Sequence, residues 1–213
     1  MLEKIGRHEF RFVSAPDSVV IDHMKTFLTS ENSGPVYYEI GVGVGSTAYT
    51  VAKMMNNRGE IFLFSYEDDV RELASDLRRL GFTNVNDQYG SPRKTFSGYH
   101  FQLAMAFLGG ALKPFDLAYI DGGHVLHLDA PAACVLKEVC KVGGLMVFDD
   151  WSWSMANSPT VGPKVNERTA QLYDDDQIRM CHVQMVCRIV MDTDRRFDFL
   201  GVEKDSAIYR RVK

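Results

Sequence analysis

The sequence has few cysteines and no pair of them at metal or redox spacing. Cys134, Cys140, Cys181 and Cys187 form no C-x-x-C, and all four lie in apolar segments. That argues against a disulfide scaffold or a cysteine zinc site and leaves reduced core thiols, as expected of a cytoplasmic protein. No apolar run follows a basic start, and none reaches the length of a bilayer span, so neither secretion nor a membrane is expected. An excess of positive charge is lacking too. With 24 Lys and Arg against 28 Asp and Glu, the formal net charge of −4 gives no general electrostatic reason to bind nucleic acid. There is no internal repeat and no low-complexity segment. Hydrophobic content of 46% and charged content of 24% are globular averages, so 213 residues suffice for one ordinary domain with a real core.

What is present centres on Tyr37-Tyr38-Glu39-Ile40-Gly41-Val42-Gly43-Val44-Gly45-Ser46-Thr47. Apolar residues lead in as a buried strand would, and Ala48, Val51, Ala52 and Met55 follow at helical spacing. Glycines at alternate positions strip side chains from the strand-to-helix turn, permit positive φ and let a ligand approach bare backbone. A dinucleotide site wants Gly-x-Gly-x-x-Gly, but Ser46 stands where its third glycine belongs. The run acidic-x-Gly-x-Gly-x-Gly resembles motif I of the class I S-adenosylmethionine (SAM) methyltransferases. SAM carries an amino group that Glu39 could hold, and Gly41, Gly43, Gly45 and Thr47 complete the expected cofactor contact. A turn without a ligand is the bland alternative.

Along the chain, residues 1–35 read as an N-terminal helical extension, with a helix over Asp17–Thr29 capped by Ser14 or Asp17 and a loop over Ser30–Pro35. Residues 36–213 read as the main domain. Strands are expected over Ile61–Tyr66, Val85–Tyr89, Phe115–Ile120 and Gly144–Phe148, separated by helices over Val70–Leu80, Phe96–Phe107 and Leu126–Val139. Pro131 should delay or break the last of these. A helix near Lys164–Tyr173 and two strands, Met180–Met191 and Asp198–Val212, complete the chain. The fold class is α/β, a doubly wound, mostly parallel Rossmann-like sheet with a C-terminal antiparallel hairpin.

In such a sheet, ligands sit beyond the carboxyl ends of the strands. Glu67, closing the second strand, could accept both ribose hydroxyls, and Ser91 could touch adenine. Asp121, Asp149 and Asp150 end adjacent strands, so three carboxylates should converge. Hard oxygen ligands suit Mg²⁺ or another divalent cation, which would relieve their repulsion. Ile120-Asp121-Gly122-Gly123-His124, Gly143-Gly144 and Phe148-Asp149-Asp150 resemble the metal-dependent small-molecule O-methyltransferases, nearest the macrolide-sugar and cephalosporin-biosynthesis branch. The resemblance covers about residues 36–151. It implies Asp121, Asp149 and Asp150 as metal ligands, with Asp121 also near SAM, and His124 where catechol-type relatives carry a lysine base. A neutral imidazole is a sensible base for a hydroxyl. Three rivals stand beside this reading: a metal-independent N-methyltransferase, an NAD(P)-linked oxidoreductase and a non-catalytic SAM-binding module. A small-molecule acceptor is expected, its identity open, and a homo-oligomer is as compatible with the sequence as a monomer.

Overall fold

Val36–Ile40 (β1) alternates its side chains between two cores, Tyr37 into one and Tyr38 and Ile40 into the other, and all three are fully buried. The computed structural model describes residues 1–28 and 34–213; the expected loop Ser30–Pro35 lies mostly outside them. After β1 come α2 (Ser46–Met55), β2 (Glu60–Phe64), α3 (Glu67–Arg79), β3 (Val85–Asn86), α4 (Tyr99–Leu108), β4 (Phe115–Ile120), α5 (Leu126–Val139) and β5 (Cys140–Phe148), with α1 (Ser18–Leu28) before it. Short helices α6 (Glu167–Leu172), α7 (Asp175–Arg179) and α8 (His182–Val186) follow, then β6 (Phe197–Glu203) and β7 (Ser206–Arg211).

The sheet order is β3-β2-β1-β4-β5-β7-β6. Strands β1 to β5 pair in parallel, and β7 runs antiparallel to both β5 and β6. This is the class I methyltransferase arrangement. Helices α1, α2 and α3 cover one face through Val20, Met24, Val51, Met55, Leu73 and Leu77. Helices α4, α5 and α8 cover the other through Leu103, Ala132, Leu136 and Val186. Two covered faces explain why the central strands read as continuous apolar runs rather than alternating ones.

Register decides where the site falls. Ile40 is level with Phe64 and with Ile120, and Ile120 is level with Phe148. The next residue of each strand therefore lies at one lip of the sheet. The ladder runs one step further there: Gly41 N–H donates to Phe64 O (2.8 Å), Asp121 N–H to Ile40 O (2.8 Å) and Asp149 N–H to Ile120 O (3.0 Å). The order reverses between β1 and β4, which opens a crevice at that lip.

Several sequence expectations change. Met180–Met191 is not a strand: α8 runs through it and continues as a wider π-type turn over Cys187–Met191. Val183, Val186, Cys187, Val190 and Met191 are all buried, at helical rather than alternating spacing. The C-terminal hairpin lies wholly within Phe197–Arg211. Its turn uses Lys204 (φ 47°) and Asp205 (φ 72°), left-handed positions held here by residues other than the usual glycine or asparagine. Strand β3 shrinks to two residues, with a single bridge from Tyr66 to Ser91 beyond it. Helix α5 runs unbroken through Pro131, and Asp17 rather than Ser14 caps α1, its Oδ1 accepting from Val20 N–H at 2.7 Å.

Candidate active site

The glycine turn carries its residues for three different reasons. A Cβ on Gly41 (φ 84°) would lie 1.9 Å from the backbone oxygen of Asp121, so the loops after β1 and β4 can meet only here without a side chain. A Cβ on Gly45 (φ 85°) would strike Leu73 at 2.3 Å, so that glycine serves the packing of α2 on α3. At Gly43 (φ 47°) a Cβ would meet only Val13, at 3.4 Å, and the remaining space is open. That space is a cavity of about 350 Å³. Gly41 to Gly43 floor it, Ser65, Tyr66, Asp69, Ser91 and Arg93 form one side, and Tyr99 with Asp121 to His124 form the other.

Glu39, Gly45, Thr47 and Glu67 stand off its wall. Glu39 is buried beneath the turn, accepts from the Tyr37 hydroxyl at 2.7 Å, and is pushed up to about 8 by burial. The Thr47 hydroxyl accepts from Asp17 N–H (3.0 Å) and Ser46 donates to Val13 O (3.0 Å), so the turn straps down the N-terminal segment that brings Val13 to the cavity. Glu67 opens α3 and pairs with Arg71. The neighbouring wall belongs to Arg93, which lies 4.2 Å over the Tyr66 ring and pairs with Asp68 (2.9 Å) and Asp69 (2.7 Å). Nothing in the sequence marked Tyr66 and Arg93, because their partnership joins two loops.

At the other end the acids gather. His124 Nε2 lies 3.5 Å from Asp121 and 3.4 Å from Asp150. Asp149 accepts from the Tyr119 hydroxyl at 2.7 Å and the Ser206 hydroxyl at 2.8 Å. Burial first, then the charges of Asp149 and Asp150, hold the Asp121 carboxyl well above the ordinary range. Burial likewise raises Asp150, opposed by His124. His124 (φ 52°) and Asp150 (φ 56°) both adopt left-handed backbone, a cost of order 1–3 kcal/mol each that surrounding bonds must hold in place. For Asp150 those bonds come from the hairpin turn, where Asp205 accepts from Trp151 N–H (2.7 Å) and Ser152 N–H (3.0 Å). For His124 they come from Tyr99, whose hydroxyl accepts from Gly123 N–H at 2.9 Å and donates to buried Asp129. The sequence disguised that pair, since Tyr99 occupies an apolar helix position and Asp129 falls where a surface acid of α5 would be read.

His182 is buried, its ring nitrogens engaged by Leu126 N–H (3.2 Å) and Gln177 O (2.7 Å), as befits a core histidine. Among the described residues no group of three His, Cys, Asp or Glu side chains is arranged to hold a metal ion as it stands, and no helix is long and apolar enough to cross a membrane.

Residues 38–151 match the family model Methyltransf_24, a methyltransferase domain, over more than half of the chain. The chain belongs to this methyltransferase family. The methyltransferase matches no protein of curated function in sequence. It shares its fold with an O-methyltransferase from Bacillus cereus solved with S-adenosylhomocysteine (SAH), at 13% identity and TM-score 0.57 with 100% of each chain covered. It is similarly close to MycE of the mycinamycin biosynthetic pathway, solved with Mg and SAH, at 18% identity and TM-score 0.56, covering 90% of this chain and 48% of that one. An rRNA methylase from Streptococcus thermophilus is equally similar, at 12% identity and TM-score 0.56 over 90% and 95% of the chains. At such identities the likeness establishes the fold and leaves the acceptor open. Family membership does decide between donors, and the protein is a SAM-dependent methyltransferase rather than a nicotinamide oxidoreductase.

Proposed function

We propose that this methyltransferase moves the methyl group of SAM to a hydroxyl oxygen of a small molecule at the acidic end of the cavity, with divalent-cation assistance. The observation that carries the reading is the meeting of Asp121, Asp149, Asp150 and His124 at one lip, next to the glycine turn. SAM is read along Gly41 to Gly43, its adenosyl part toward Ser65, Tyr66, Ser91 and Arg93 and its sulfonium end toward Asp121. Glu39 and Thr47 act from behind the wall by shaping the turn.

The donor set fits a hard cation. All three candidate ligands are carboxylates, and Asp121 is raised by burial first and then by the charges of Asp149 and Asp150, so that a cation there would meet uncompensated negative charge. Asp121, Asp149 and Asp150 would hold Mg²⁺, which supplies Lewis acidity toward an acceptor oxygen when bound. The chain's own part is positional. Tyr119 and Ser206 fix Asp149, and Tyr99 with Asp129 fixes the loop that aims His124. The acceptor oxygen attacks the sulfonium methyl, the carbon–sulfur bond breaks to give SAH, and the hydroxyl proton goes to His124 Nε2. The net charge of −4 favours a small acceptor over a nucleic acid.

A second reading has its own observation. His124 already stands between Asp121 and Asp150, so two carboxylates alone could orient and charge-stabilise the base without a metal. Methyl transfer from labelled SAM to a panel of hydroxylated and aminated acceptors, with Mg²⁺ or with excess EDTA, separates the two. The favoured reading predicts turnover on hydroxyls that EDTA abolishes. Full turnover in EDTA removes the metal, and turnover confined to amines removes the oxygen.

A further inference from the structure

A second cavity, of about 270 Å³, adjoins the first and shares Gly123 and Leu128 with it. His124 marks the partition: it lines the first cavity, and its ring lies 5.4 Å from Trp153, which lines the second. An acceptor in the second cavity would thus reach the base and the methyl donor together. Its walls are apolar and aromatic, from Val125, Met155, Trp153, Leu172 and Tyr173. The volume lies below the 300–1,000 Å³ typical of sites for drug-sized ligands, which suits a single ring.

Polar side chains in the lining include Asn166, Arg168 and Thr169. Asn166 spends its carbonyl oxygen on Arg168 N–H (3.1 Å), leaving the amide N–H₂ as its free end. The Thr169 hydroxyl donates to Val161 O at 2.6 Å. Arg168 is exposed on α6 and has no ion-pair partner among the described residues, and no Asp or Glu lines the cavity. A guanidinium without a carboxylate, beside an amide donor and aromatic walls, is half of a recognition pair.

We propose, resting on the methyl-transfer reading above, that the acceptor is a single-ring hydroxylated aromatic carboxylate. Its ring lies against Trp153 and Tyr173, its carboxylate meets Arg168 and the Asn166 amide, and its hydroxyl is presented at His124. In the transfer, the ring oxygen gains the methyl carbon, the sulfonium bond breaks to leave SAH, and the hydroxyl proton goes to His124. The anionic end points away from Asp121 and Asp150, so the site sorts the two ends of the acceptor by charge.

The test is calorimetric titration of SAH-saturated protein with 2-, 3- and 4-hydroxybenzoate and with their methyl esters, which keep ring and hydroxyl but lose the charge. At least one acid should bind tenfold or more tightly than its ester. Arg168→Gln should erase that preference and Arg168→Lys should retain part of it, while SAH affinity stays within about twofold because α6 lies outside the first cavity. Esters that bind as well as acids, a preference that survives Arg168→Gln, or no binding of any hydroxybenzoate to SAH-loaded protein each overturn the proposal and leave the methyltransferase reading intact. Failure of SAH itself to bind would remove both.

Discussion

Replacing Gly41 with alanine adds one methyl group at the point where two strand-end loops touch. Two costs are separable. At φ 84° an L-residue pays roughly 1–2 kcal/mol for left-handed backbone, partly offset by the 0.4–1 kcal/mol that alanine gains by restricting the unfolded chain. The new Cβ would also lie 1.9 Å from Asp121 O, so that carbonyl must move by about an ångström, and overpacking of this kind costs about 1–3 kcal/mol. Gly110 supplies the control, since its φ is 66° and nothing lies within 4 Å of its Cβ position. Gly110→Ala should carry the first cost alone. For a domain of this size 1 kcal/mol is about 2–4 °C in Tm, so Gly110→Ala should lose at most about 6 °C and Gly41→Ala about 2–18 °C, the excess coming from the clash. Thermal unfolding followed by circular dichroism reads both. Because Asp121 moves with the clash, Gly41→Ala should also lose more turnover than its melting point explains. Equal stability of the two variants would refute the idea that Gly41 exists to let these loops meet.

Other outcomes follow from the same geometry. Gly43→Val should weaken SAH binding tenfold or more in isothermal titration, because its side chain enters the open floor of the cavity; unchanged affinity would move the cofactor elsewhere. His124→Ala should lower kcat by about 10²-fold, with a loss that shrinks as pH rises and the acceptor ionises unaided; an unchanged kcat with chemistry rate-limiting would make the residue structural. Glu39, raised from 4.5 to about 8 by burial, keeps its proton in the folded state while the unfolded chain releases it. Between those values the unfolded state binds fewer protons, so this group subtracts stability as pH rises, by about 1.4 kcal/mol per unit. Chemical denaturation of the unliganded protein at pH 5 to 8 should show that slope, and Glu39→Gln should flatten it; parallel slopes would contradict the assignment.

How much of this was legible follows from which forces act locally. Strands β1, β2, β4 and β5 were readable because burial on both faces demands apolar runs, and the glycine turn because only glycine tolerates its backbone. The acids after β4 and β5 were legible for the same reason: chain order in a doubly wound sheet delivers strand ends to one lip. Residues 182–191 misled because valine, cysteine and isoleucine favour strands locally, and only their spacing of three and four betrays a helix packed on the core. The Lys204–Asp205 turn lacks a glycine, so nothing local divided β6 from β7. Tyr99 and Asp129, Tyr66 and Arg93, and the second cavity were beyond reading, since each arises from residues distant in sequence that only the tertiary fold brings together. Glu67, expected at the ribose, stands after β2 as read, and its carboxylate pairs with Arg71 along the helix.

The central claim is tested most directly by titrating Mg²⁺ into SAH-saturated protein and into its Asp150→Asn variant, with SAH affinity measured in parallel. The account predicts one Mg²⁺ bound per chain, a marked loss of that binding in the variant, and an SAH affinity that is nearly unchanged, because Asp150 stands outside the SAH cavity wall. Absence of Mg²⁺ binding to the unmodified protein, together with turnover that persists in EDTA, would contradict it.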